Sequence, residues 1–298
     1  MTCSDNADGS ETCSTITNGT STYTHPAFKF GNTELTGFWV GKFEISTTDS
    51  TCNSSASSTN CNKVLTMTIK PNVSSWRYAT ISNHFTSIQN AKTTYGISNA
   101  DSHMMKNMEW GAVAYLKQSK YGLGIKDIGI NNNSNYITGC GAASGSKKSS
   151  TCDEYNTANG MLSSTTGNIY GVYDMSGGAW EYVMGNVNNS SNAFYSSNAG
   201  FTTAPDAKYY DSYKYDSSSS STHARGKLGD ATKETLATFG SNTGGWYSDD
   251  AYFPNSSYSW FNRGGFYSYG SRTGVFYFGG SNGGGHTDIS ARAVLSAQ

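Results

Sequence analysis

At 298 residues the chain can bury a substantial core, and its composition excludes two classes of partner. A formal net charge of −1 with 14% charged residues leaves no basic surface for nucleic acid, and no run of eighteen apolar residues supplies a membrane-spanning helix. The 34 glycines, 21 tyrosines and mean hydropathy of −0.53 suit a loop-rich extracellular domain better than a helical cytosolic enzyme.

Residues 1–22 read as a polar N-terminal extension. Thr2-Cys3-Ser4-Asp5 turns polar directly after Met1, so an exported form implies a leader already removed. The domain proper is expected over residues 23–298. Three cysteine pairs local in sequence, Cys3/Cys13, Cys52/Cys61 and Cys140/Cys152, bracket loops rich in Ser, Thr, Asn and Gly. None has the C-x-x-C spacing of a zinc or redox site, so three local disulfides and an oxidising compartment are expected. On the chain-entropy account each such loop contributes about 2–3 kcal/mol.

Residues 25–30 and 38–45 alternate apolar with polar or small side chains, as half-buried strands do, and 64–69 forms a third such run, closed by Pro71. Ser74 or Ser75 can cap a helix beginning near Trp76, whose apolar face (Trp76, Ala79, Ile81, Phe85, Ile88, Ala91) runs to a stop at Gly96. A second helix is predicted from about His103 to Lys117, with Met104, Met108, Ala112, Tyr115 and Leu116 on its apolar face. Residues 123–170 read as loop, and 186–257 as irregular but packed chain rich in Tyr and Ser. No internal repeat is present. Two helices, few short strands and much ordered loop predict a single α+β domain.

The last stretch, residues 260–295, has ends suited to a buried frame: Arg263-Gly264-Gly265 at one and 289–295 at the other. Between them lie Phe, Tyr, Ser, Gly, His, Thr and Asp, crossed by an apolar strand predicted at 275–278. Tyr and Phe offer large rigid contact area, and Ser and Gly adaptable hydrogen bonding, which is the chemistry of a paratope. Gly279-Gly280-Ser281-Asn282-Gly283 matches the G-x-S-x-G nucleophile elbow formally. That elbow needs a helix directly after the serine, and Gly284-Gly285-His286-Thr287-Asp288 does not start one.

Several of these stretches together resemble the formylglycine-generating-enzyme (sulfatase-modifying factor) branch of the C-type-lectin-like fold. Residues 171–182, GVYDMSGGAWEY, are similar to that family's GLYDMSGNVWEW. Arg263-Gly264-Gly265 with Ser290-Ala291-Arg292 resembles its RGGS…GFR frame. Phe38-Trp39-Val40-Gly41-Lys42-Phe43-Glu44 looks like its opening strand, and residues 109–115 like its Trp/Ala-rich helix. The resemblance covers most of residues 28–295 and implies the C-type-lectin-like fold with two main helices. The oxidising enzymes of the family carry a copper-binding cysteine pair a few residues beyond RGGS; here 266–272 reads FYSYGSR, with no thiol to ligate copper or react. The sulfoxide synthases on this scaffold need a histidine cluster, whereas His25, His84, His103, His223 and His286 are scattered singly. The departures imply a protein without catalytic residues and without copper. The rival readings are a sulfatase-modifying enzyme and a purely structural surface module.

A second group on this fold, the variable proteins of diversity-generating retroelements, resembles the C-terminal segment more closely. Its frame matches Arg263, Gly264, Gly265, Tyr267, Gly270, Gly274, Val275, Phe276, Phe278 and Gly283. The implied variable, ligand-binding positions are Phe266, Ser268, Tyr269, Arg272, Tyr277, Gly279, Gly280, Ser281, Gly284, His286, Thr287 and Asp288. Randomising the first two bases of an Asn codon never yields Lys, Glu, Gln, Met or Trp, and residues 266–288 contain none of them. The resemblance implies a protein or glycan ligand on a cell or phage-host surface, and a cell-surface or virion-tail location. Tyr269, Arg272, Tyr277, His286 and Asp288 are expected on an exposed patch fastened by Val275, Phe276 and Phe278. Asp174, Gly177, Ala179 and Glu181 match positions that hold a structural calcium ion in the formylglycine enzymes; alternatively the two carboxylates cap turns or pair with an arginine. Trp180 is expected in the core, and Arg263 and Arg292 in structural roles.

Overall fold

A computed structural model describes residues 3–5, 11–13, 24–52, 59–125, 129–131, 135–141, 152–215, 226–233 and 249–297. In chain order the elements are β1 (Cys3–Asp5), β2 (Glu11–Cys13), β3 (Lys29–Phe30), β4 (Thr33–Glu34), β5 (Trp39–Val40), β6 (Ser46–Thr47) and β7 (Met67–Thr68). They continue with α1 (Ile81–Thr94), β8 (Ala100–Met104), α2 (Asn107–Ala114), α3 (Ala158–Met161), β9 (Trp180–Val187), β10 (Asp211–Tyr213), β11 (Trp260–Arg263), β12 (Phe278–Ser281), β13 (Ile289–Ala291) and β14 (Ala293–Ala297). The protein is a mixed α/β structure with few helices and several small, largely antiparallel sheets.

The largest sheet is ordered β10-β9-β11-β12, and β13 joins β9 in parallel along the same edge as β10. β9 is its axis: it is buried along its whole length after Trp180, because β11 covers one edge while β13 and β10 share the other. The register Ile289↔Trp180 and Ser290↔Glu181 brings the end of the C-terminal segment beside the residues of the 171–182 motif. A second sheet, β5-β14-β8, ties the chain end back to its beginning. Two apolar clusters fill the interior. One lies around Trp76, Phe85, Ile88, Tyr182 and Trp260, the other around Trp110, Phe253, Phe261, Phe276 and Phe278.

Helix α1 is shorter than its apolar spacing suggests. Tyr78 adopts φ +64°, which no helix interior accommodates, and its amide donates to the His286 carbonyl instead, 2.8 Å away. Trp76 is therefore a core residue before the helix, and Thr80, not Ser74 or Ser75, is the cap. The second predicted helix also starts late. His103 and Met104 pair with Val294 and Ala293 across the β8–β14 ladder, and Glu109 Oε2 accepts the Lys106 amide (2.8 Å) to close the first turn of α2. The run 25–30 is a 3-10 turn at Pro26–Phe28 before β3, set by a proline in its first turn and by His25 Nδ1 accepting the Ala27 amide. Only Trp39–Val40 of 38–45 and Met67–Thr68 of 64–69 are strand, since only those residues find a ladder partner. The loop 123–170 contains the single turn of α3.

Cys52–Cys61 and Cys140–Cys152 are bonded, with Cα atoms 5.6 and 5.0 Å apart. The β1–β2 register sets Cys3 opposite Cys13, but their side chains lie outside the described residues. No helix among the described residues is long and apolar enough to cross a membrane.

Candidate ligand-binding face

The frame comes first. Arg263 ends β11 with its side chain fully buried; Nη1 donates to Asn107 Oδ1 (2.9 Å) and to the Asp230 carbonyl (3.1 Å). Gly264 and Gly265 follow with φ +83° and +59°. A Cβ on Gly264 would stand 3.1 Å from the Trp110 ring, and one on Gly265 2.7 Å from the Arg272 carbonyl, so both left-handed φ and close packing demand glycine. Trp110 Nε1 donates to the Val275 carbonyl (2.9 Å) and pins the far side of the loop. At the other end Arg292 Nε donates to Glu181 Oε2 at 3.0 Å and Nη2 to Oε1, while Nη1 and Nη2 take the Gly41 and Tyr173 carbonyls at 2.7 and 2.8 Å. Both arginines spend their forks on the interior, as the sequence suggests.

Between these braces the chain leaves the sheet. Two short 3-10 turns over Tyr267–Arg272 are separated by Gly270 at φ +60°, ψ −117°, and no ladder bonds constrain them. Trp180 lies beneath. Its ring centroid is 4.5 Å from Phe266, 5.1 Å from Tyr269 and 6.0 Å from Tyr277. Phe266 and Tyr269 are half-buried and face each other at 4.8 Å, and Ser268 is exposed between them. Arg272 stacks over Tyr269 (4.5 Å) and bonds Asp250 Oδ2 at 2.8 Å, which fixes the outer tyrosine. Tyr267 donates its amide to Gly178 and packs edge-on against Tyr136 (4.7 Å), whose ring carries the Arg77 guanidinium at 3.7 Å. Arg77 in turn bonds the Thr287 carbonyl, so the exposed Thr287 and half-buried Asp288 complete the same surface. Burial raises the Asp288 carboxyl above its usual range, against the pull of His286 and Arg77.

The predicted positions therefore divide. Phe266, Ser268, Tyr269, Arg272, Thr287 and Asp288 come together around Trp180, which is half-buried and not the core residue expected. Tyr277 is 5% exposed, behind Trp180 and not on the surface. The alternation that points it outward fails because Tyr277 donates its amide to the Gly274 carbonyl (3.0 Å), making 274–277 a turn, and only Phe278 of the predicted strand enters β12. Gly279 and Ser281 are buried within β12, where Ser281 Oγ meets the Tyr182 hydroxyl at 2.8 Å; Gly280 is half-buried. Gly284 and His286 belong to a stretch folded onto residues 78–81: Tyr182 donates to the Gly284 carbonyl (2.8 Å), and His286 Nε2 meets Asn282 Oδ1 (3.3 Å). Residues 266–288 are thus not largely exposed: 273–279, 281 and 283 are buried, and only Ser268 and Thr287 are exposed among those described. Ser281 sits in a strand with no helix after it, which removes the nucleophile-elbow reading.

The calcium positions are braces too. Asp174 Oδ1 and Oδ2 accept the Gly139 and Glu44 amides at 2.8 and 3.2 Å, the Ala179 amide goes to Glu44 Oε1 (3.0 Å), and Glu181 is held by Arg292. Gly177 donates its own amide to the Gly264 and Thr273 carbonyls. The Arg292 guanidinium already holds both Glu181 oxygens and main-chain amides hold both Asp174 oxygens, so as arranged the two carboxylates do not fit a calcium shell. Among the described residues no group of three or more His, Cys, Asp or Glu is placed to hold a metal ion. The histidines do not gather either: His103 is buried against Glu109 (2.9 Å) and His84 against the Trp76 ring (4.6 Å), and His223 lies outside the described residues.

Comparison with protein-family models and with curated proteins gives no match for this chain.

Tyr136, Arg77 and Asp250 escape any reading of the sequence, since each meets the face across a long chain separation (Arg77 to Thr287 spans 210 residues). Trp180 carried a signal, because it stands one residue before a carboxylate of the frame at the first position of β9. What this surface offers a ligand is ring faces, hydroxyls and one carboxylate on a braced floor, which is equipment for contact and shape.

Proposed function

We propose that this chain is a non-enzymatic ligand-binding domain of the C-type-lectin-like, formylglycine-generating-enzyme type, displayed outside the cell or on a virion tail. Its binding surface is the face around Trp180, and its ligand a protein or glycan on a cell or phage-host surface. Of the positions that diversification would rewrite, Phe266, Ser268, Tyr269, Arg272, Thr287 and Asp288 are the ones on this face, as in the variable proteins of diversity-generating retroelements. One observation carries the reading: half-exposed Phe266 and Tyr269 rest on Trp180 in a turn without ladder bonds, between two fully buried arginine braces. Such a segment can change its outer side chains while the frame keeps the fold, since exposed substitutions away from special features stay within about 0.5 kcal/mol. The two disulfides and the mixed α/β architecture support the extracellular assignment and the fold type respectively.

The test is a binding screen against arrayed glycans and cell-surface ectodomains, run with the wild type and with a Phe266→Ala/Tyr269→Ala double variant. Every authentic hit should vanish in the variant at an unchanged circular dichroism spectrum. Hits that survive it place the recognition surface elsewhere. Oxygen consumption with a cysteine-containing sulfatase peptide would overturn the non-enzymatic reading outright.

A further inference from the structure

On another part of the molecule, sharing no residue with the face around Trp180, a cleft of about 590 Å³ opens where β5 and β14, β7 and the end of α1 meet. Its floor is core: Met67, Ala91 and Ala293 are each at most 6% exposed. Its rim is unusual, because large apolar side chains stand in solvent there: Trp39 is 74% exposed, Tyr95 50% and Ile69 37%. The volume is that of a small-molecule site, and the lining is mostly aliphatic or aromatic.

Among the described residues the charges lining this cleft are of one sign. Its lining includes Lys42 and Lys70 and no Asp or Glu. The two lysines stand near one another along the chain paths: Ile69 Cδ1 lies 3.2 Å from where a Cβ on Gly41 would be, and Lys42 and Lys70 follow those residues, each two positions beyond the end of its strand. The Lys42 ammonium lies 5.1 to 5.9 Å from the Tyr155, Tyr173 and Phe43 rings, and burial lowers its pKa, a cost that a nearby anion would offset. Tyr95 marks the other end, its hydroxyl donating to the Met67 carbonyl at 2.6 Å.

We infer that this cleft binds an amphipathic carboxylate, an aliphatic chain lying over Met67 and against Trp39 with its anionic head at Lys42 and Lys70. The aliphatic floor argues against a glycan, whose hydroxyls would find few partners there, and the paired cations argue for an acid over a neutral lipid. The inference is independent of the proposed function.

Displacement of 8-anilinonaphthalene-1-sulfonate from the full chain tests it, with decanoate, decanol and decyltrimethylammonium as competitors. Decanoate should displace the dye at one equivalent, and the cationic amphiphile should be weaker by about tenfold or more. Trp39→Ala should weaken decanoate about tenfold, and Lys70→Gln about threefold with decanol unchanged. Trp39 and Lys70 are both exposed, so neither variant threatens the fold. Equal displacement by decanoate and decyltrimethylammonium would overturn the proposal, as would indifference to both substitutions. A concentration-dependent dimer in which the cleft no longer takes decanoate would do the same and would make a second copy the occupant.

Discussion

Two arginines twenty residues apart each meet a carboxylate, and the two pairs differ in kind. Arg292 and Glu181 have no exposed side-chain surface, and the guanidinium also holds two carbonyls from distant loops. Arg272 keeps 29% of its side chain exposed, and its other contact is the ring of Tyr269. The first pair ties the residue between β13 and β14 to β9 and so joins the chain end to its middle; the second steadies a surface turn. A segment that must both hold a fold and vary its surface separates these duties by burial.

The largest expected effect tests that separation. Arg292→Met leaves Glu181 beside Asp174 and Glu44 without their cation. Burial already pushes the Glu44 carboxyl well above its usual range, and the neighbouring Asp174 and Glu181 carboxylates push it further. The loss should reach about 3–5 kcal/mol, enough to abolish folding in a marginal domain. Arg272→Met should cost less, about 1–2 kcal/mol, because its guanidinium is partly exposed although Asp250 is buried. Urea unfolding of the two variants checks this, and similar losses would erase the distinction between frame and face.

Tyr269 and Tyr277 sharpen the same comparison within one cluster, because both pack against Trp180, one half-buried and one buried. Tyr277→Ala opens a cavity in the core and should cost about 3 kcal/mol, whereas Tyr269→Ala should cost about 1 kcal/mol or less. Binding should sort the other way: Tyr269→Ala loses the ligand, with a hot-spot loss of about 2 kcal/mol or more, and any effect of Tyr277→Ala follows its stability. A tyrosine at 277 that can be removed without a change in melting temperature would return it to the surface.

The sequence made the buried frame legible and the surface only partly so. Arg263 and Arg292 stand out because a charged residue set among glycines and apolar strand residues has to be paired inside. Val275, Phe276 and Phe278 are buried as fasteners of the segment, but Tyr277 is buried too, since a turn at 274–277 does not alternate. Likewise the apolar spacing from Trp76 through Ala79 mimics a helix that the positive φ of Tyr78 forbids. Local periodicity carries no information on either backbone event. Nor does it on the stacking of Arg77, Tyr136 and Tyr267, which depends on tertiary placement alone.

A smaller effect separates two buried histidines that respond oppositely to acid. Burial lowers His84 from 6.5 to about 3. The unfolded chain therefore binds a proton below pH 6.5 that the folded chain refuses, and stability falls as pH drops, by about 1.4 kcal/mol per unit. Burial also pulls on His103, but the Glu109 and Asp101 carboxylates outweigh it and raise its pKa. Its contribution is fully present below pH 6.5 and is lost as pH rises through the folded-state value. Between pH 7.5 and 5.0 the His84→Leu variant should escape a loss of about 2 kcal/mol that the wild type suffers. His103→Gln should instead suffer a steeper acid loss than the wild type. Identical pH profiles for all three proteins would mean that neither ring is held as described.

The smallest expected effect is none at all. Calcium takes six to eight oxygens at about 2.3–2.6 Å in an open, mostly carboxylate and carbonyl shell. At Asp174 both oxygens already accept main-chain amides, and at Glu181 both oxygens face the Arg292 fork. A dication entering there would displace a guanidinium with two further carbonyl bonds, and would leave that guanidinium buried against the newcomer. Excess chelator should therefore shift the melting temperature by less than about 1 °C, since a ligand stabilises only in proportion to its binding to the folded form. Added calcium should be equally silent. A rise of several degrees with calcium, reversed by chelator and absent in Asp174→Asn, would show that the Arg292 fork yields to the ion and that the frame is a metal site after all.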